Sequence, residues 1–144
     1  MAVFIANEQN LPVDETRLQS LAHHALMEED VDPESELSIL LVSSAHIKHL
    51  NARFAGNDEA TDVLAFPMTE SEEENEPMLG DVVISPEIAR RNGVKLGHGL
   101  SGEMDVLIVH GTLHLLGYDH QGVDDKDRMD KRMRQILDSF RVGA

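Results

Sequence analysis

Apolar residues recur along this chain with two different periods. Between Asp14 and Glu29, the residues Leu18, Leu21, Ala22, Ala25 and Leu26 fall three and four positions apart, the spacing that lines one face of a helix. Pro12 precedes that segment, and Asp14 can accept hydrogen bonds from its first amides. Met129, Met133, Ile136, Leu137 and Phe140 repeat the pattern and predict a last helix over Asp124 to Arg141. Short apolar runs predict strands at Val3 to Ala6, Leu37 to Val42, Asp62 to Phe66 (ended by Pro67) and Gly80 to Ser85. Ser44 is read as the cap of a short helix to Ala52, and Pro86 suits the first turn of another reaching about Asn92. VDPESE and GNDEA read as a turn and a loop.

From Gly102 to Leu116 the pattern changes. Met104, Val106, Leu107, Ile108, Val109, Leu113, Leu115 and Leu116 make this segment apolar nearly all round, as in a helix buried at the centre of a domain. Ser101 is read as its cap and Gly117 as its left-handed stop, with the Gly-rich stretch 92–102 irregular before it. Strands are interspersed with helices, without repeat or linker. The expectation is one α+β domain spanning 1–144: a mixed sheet of about four strands covered by helices, around that buried central helix.

Composition narrows the picture. A chain of 144 residues suits one core. The formal charge of -15 argues against passive binding to polyanions. Part of the excess lies in Glu70, Glu72, Glu73, Glu74 and Glu76, expected as a solvated loop. The basic residues Lys126, Arg128, Lys131, Arg132, Arg134 and Arg141 crowd the last helix, interleaved with Asp125, Asp127, Asp130 and Asp138 as helix-face ion pairs. No apolar stretch is long enough for a membrane span, and the N-terminus has no basic leader, so a cytoplasmic location without a membrane partner is expected. There is no cysteine, so any metal must be held by His, Asp or Glu.

The candidate chemistry lies in HGTLHLLGYDH, residues 110 to 120. His110 and His114 stand four apart, with about 6 Å of helical rise between them and both rings on one face. His120 follows the bend at Gly117 and can close a third side. Three imidazoles with an open fourth position describe a catalytic site for one divalent ion, zinc by preference. Leaving three unpaired imidazoles in so apolar a segment would be costly. The other histidines, His23, His24, His46, His49 and His98, are assigned ordinary core or surface roles. The position after the first ligand is Gly111, where HExxH proteases need a Glu as general base, which argues against peptide hydrolysis. No Glu stands beside the ligands in sequence to serve as that base. Asp105 and Asp119 are candidates to hold ligand N–H groups.

This segment resembles the motif of the YbeY family of endoribonucleases, His-Gly-x-Leu-His-Leu-x-Gly-Tyr-Asp-His. Asn51 followed by TDVLAFP (61 to 67), and GDVVIS (80 to 85), resemble that family's neighbouring blocks. The resemblance implies a single-strand-preferring RNA endonuclease of α+β fold, with one zinc per chain on the three histidines. It also implies a role in 16S rRNA 3′-end maturation and ribosome quality control. The implied partners are precursor rRNA, the ribosome, and ribosomal proteins or a GTPase. Two positions depart from the pattern: Ala55 stands where the family places an Arg, and Ala65 where it places a Ser. Arg53, Arg90 and Arg91, with Lys95, are the nearest candidates for RNA phosphates in the loops and short helices that precede the histidine helix. The alternatives are a ribosome-associated binding protein with a structural zinc, and a zinc hydrolase of another substrate. The attacking group, hydroxide or the substrate's 2′-OH, stays open at this level.

Overall fold

The computed structural model describes residues 1–68, 78–118 and 122–143. The acidic run, together with Asp119 and His120, lies outside these residues. Four strands, β1 (Ala2–Glu8), β2 (Glu36–Val42), β3 (Val63–Pro67) and β4 (Met78–Ile84), form one sheet in the order β1-β2-β4-β3. β1 and β4 both run parallel to β2, and β3 pairs antiparallel with β4. The sheet is therefore mixed, as expected. The helices are α1 (Glu15–Glu28), α2 (Ser44–Leu50), α3 (Pro86–Leu96), α4 (Gly99–Leu115) and α5 (Val123–Gly143).

Alternation along the strands divides the core. Leu37, Ile39 and Leu41 of β2, with Val82 and Ile84 of β4, meet the apolar faces of α1, α4 and α5. Leu40, Val42 and Val83 join Ile47 of α2 and Ile88 of α3 in a smaller cluster. α4 touches α1, α3, α5, β3 and β4. Met104, Leu107, Ile108, Val109 and Leu113 are all buried there, so the nearly uniform apolar pattern did mark the centre. Each such side chain contributes about 1.5–3 kcal/mol through burial.

Helix ends show where local reading was overridden. Asp14 caps α1 as expected, accepting from the Arg17 amide at 3.1 Å. α2 is capped by Ser43 rather than Ser44: the Ser43 hydroxyl accepts from the His46 amide at 3.1 Å, while the Ser44 amide donates to Glu87 at 3.3 Å. After α2 the chain does not enter a loop at once. It widens into a π-helical turn, Asn51–Ala55, in which the Gly56 and Asn57 amides both donate to the Asn51 carbonyl. α3 runs on to Leu96 and α4 starts at Gly99, so the stretch expected to be irregular is mostly helical and Ser101 lies inside the first turn. His98 and the buried Glu103 clasp that turn at 2.7 Å. Gly117 is the expected stop, with φ of 102° and its amide on the His114 carbonyl at 3.1 Å.

Candidate functional site

α4 presents His110 and His114, half-buried and one helical turn apart, to a single cavity of about 780 Å³. The facing wall comes from the chain between the π-helical turn and β3. α4 reaches this position because Gly111 lets it sink onto β4. A Cβ at Gly111 would stand 2.6 Å from Val82 Cγ1 and 3.2 Å from Cγ2. The missing side chain that argued against protease chemistry thus has a packing cause: position 111 faces a strand, and the close approach is to Val82.

The facing wall is pinned at both ends. Asn51 is buried, and its Nδ2 donates to the Glu59 carbonyl at 2.9 Å. The Asp62 carbonyl accepts from the Ser85 amide at 3.0 Å, and its carboxylate from Asn92 Nδ2 at 3.2 Å. Between these anchors, Asn57, Glu59 and Thr61 line the cavity with polar groups, beside Ala55 and Ala65. Glu59 adds a residue that the sequence did not single out. No Glu neighbours the histidines along the chain, yet the fold brings the exposed Glu59 to the wall of their cavity across about fifty residues, with no local signal to announce it.

The other candidates are dispersed. Arg53 sits over the Phe54 ring, 5.3 Å from its centroid. Arg90, Arg91 and Lys95 line a different cavity, of about 820 Å³, with Glu8, Leu11 and Glu87. Glu87 is held below the usual carboxylate range by hydrogen bonds from Ser44 and by the Arg91 charge. Asp105 turns away from the histidine cavity to Arg17 of α1, at 2.5 Å, so its carboxylate serves helix packing and not an imidazole. His24 bonds Ser139 at 2.7 Å and His98 bonds Glu103, both structural roles. Burial and Glu29 push the Tyr118 hydroxyl above its ordinary range, and Arg132 bonds Glu29 at 2.6 Å, tying α5 to α1.

His110 and His114 could hold two corners of a tetrahedral ion, and imidazole is a donor that suits zinc or nickel. Both open on a polar cavity with room for water and substrate, so the described residues supply two donors of the right chemistry for such an ion, and no group of three candidate ligands occurs among them. His120, the third candidate, and Asp119 lie outside the described residues.

The class is therefore an α+β domain that sets two imidazoles of its central helix against a polar cavity at the edge of a mixed sheet. The chain belongs to the endoribonuclease YbeY family, whose model matches residues 4–141. Proteins named endoribonuclease YbeY from Salinispora tropica and Thermobifida fusca are 40% and 41% identical to it. Each alignment covers 98% of this chain, and 97% and 95% of the relative respectively. A solution structure of a Thermotoga maritima protein superimposes with a TM-score of 0.64 at 25% identity, covering 99% of this chain and 93% of that one.

Proposed function

We propose that this chain is a single-strand-specific metallo-endoribonuclease of the cytoplasm, acting in 16S rRNA 3′-end maturation and ribosome quality control. One Zn²⁺ would be held by His110, His114 and His120. The reading is carried by the convergence of His110 and His114 on one polar cavity, in a chain whose relatives bear the name endoribonuclease. When bound, zinc supplies a Lewis acid for a phosphoryl oxygen. Glu59, a residue of the cavity wall, is assigned to take a proton from the attacking hydroxyl. Asn57 and Thr61 provide neutral hydrogen bonds to the phosphodiester, and Asn51 holds their loop in place. Asp119 is assigned to steady a ligand imidazole. Arg90 and Arg91 would meet RNA away from the scissile bond, since they line a separate cavity. Precursor rRNA on the ribosome is the proposed substrate, with ribosomal proteins or a GTPase as partners.

A second reading, a ribosome-associated binding protein with a structural zinc, is favoured by one observation. Ala55 places a methyl group on the cavity wall where the resemblance calls for an Arg. The test is cleavage of a labelled single-stranded oligomer from the rRNA 3′ end, by the parent and by Ala55→Arg. Internal cleavage by the parent, with the matching duplex spared, supports the nuclease. Co-sedimentation with ribosomes and no cleavage until Ala55→Arg is made supports the binding protein.

A further inference from the structure

Phe54 is the most exposed of the four phenylalanines, at 60%. It sits on the π-helical turn, immediately before Ala55, which lines the histidine cavity. Its ring is not loose. The Phe66 ring meets it at 72° with centroids 5.9 Å apart, and the Arg53 guanidinium lies 5.3 Å from its centroid. Met68, 48% exposed, adds a further apolar surface just past the end of β3. A large ring held in the open by two neighbours, beside a cation and next in the chain to a residue that lines a polar cavity, has little purpose in the core of this fold.

We propose that Phe54 is a stacking platform for one unpaired nucleobase at the mouth of the histidine cavity, with Arg53 meeting the adjoining phosphate. The inference rests on the RNA reading above and adds a recognition element to it. An aromatic face binds any base through its π-surface, and it can do so only when that base is not already stacked in a duplex. Preference for single strands then follows from the platform. The cation beside it favours a nucleotide over an uncharged apolar peptide. Arg53 acts here in place of a charge inside the cavity, where Ala55 offers none.

The chain contains no tryptophan, so Phe54→Trp places a single indole reporter at the platform. The zinc-loaded protein is titrated with a 2′-O-methyl oligouridylate and with an abasic oligomer of equal length. The expected result is saturable quenching by the base-bearing strand and little response to the abasic one. Phe54→Ala should bind oligouridylate on the order of ten-fold more weakly, with KM for cleavage raised and kcat nearly unchanged. Equal affinity of Phe54→Ala and the parent, or equal response to both oligomers, overturns the platform. If the parent still cleaves RNA in that case, the nuclease reading stands and the patch belongs to a protein partner. If the parent neither binds nor cleaves single-stranded RNA, both readings fall together.

Discussion

Gly111 of α4 and Val82 of β4 approach so closely that a Cβ on the former would lie 2.6 Å from a methyl of the latter. Val82 is fully buried and stiff at χ1, so it cannot swing aside. Two effects compete in Gly111→Ala. Helix propensity favours the alanine by about 1 kcal/mol, while overpacking costs about 1–3 kcal/mol. We expect a net loss of roughly 1–2 kcal/mol in urea unfolding, and a lower metal content as α4 lifts from the sheet. A variant as stable as the parent would mean that α4 has slack at this point.

Asn51 is expected to matter for turnover more than for metal. Its side chain closes the wall opposite the histidines through the Glu59 carbonyl. Asn51→Ala should cost about 1–2 kcal/mol of stability for the lost buried hydrogen bond. It should also reduce RNA cleavage by about ten-fold or more as the facing wall loosens. Elemental analysis should show the same metal content as in the parent, because Asn51 does not belong to the proposed ligand set.

Arg17 and Asp105 bind α1 to α4 through one ion pair. The Asp105 side chain is 4% exposed and that of Arg17 is 35%. Removing the arginine strands a buried carboxylate, whose Oδ1 already has no hydrogen-bond partner among the described residues. Such losses run to about 3–5 kcal/mol for fully buried pairs. With Arg17 partly in solvent, Arg17→Met should cost about 2–3 kcal/mol by denaturant titration. Asp105→Asn in the Arg17→Met background should recover part of that loss, since it removes the stranded charge.

Glu87 provides a pH signature. Hydrogen bonds from Ser44, then the Arg91 charge, lower its pKa in the folded state. A depressed carboxylate contributes stability that is present above its unfolded value, about 4.3, and is lost as pH falls through the folded value. Compared with Glu87→Gln, the parent should have the higher urea midpoint at about pH 7, and the difference should shrink as pH falls below the unfolded value and through the lowered folded one. A difference that persists in acid would assign the effect to packing.

Much of the frame was legible because it is local. The Asp14 cap, the Leu18 to Leu26 stripe and the Gly117 stop each depend on residues within a turn or two of one another, and all stand where the pattern put them. Long-range competition explains the misses. Ser43 takes the cap expected of Ser44 by accepting from the His46 amide, and the first-turn amide of Ser44 is satisfied instead by Glu87, forty-three positions away. The Gly-rich stretch before α4 became helical because α3 and α4 pack closely along each other. In the candidate site, the two helical histidines were visible through their spacing. Glu59 and the anchoring role of Asn51 were not, because a π-helical turn and a loop set them opposite α4 only in the folded chain.

Metal analysis of the purified protein, paired with cleavage of single-stranded rRNA before and after chelation, tests the central claim most directly. The expected result is close to one zinc per chain in the parent, with cleavage lost on chelation and restored by zinc. Both metal and cleavage should be absent in folded His114→Ala. A parent that takes up no divalent ion, or a stripped protein that cleaves RNA as fast as before, would contradict it.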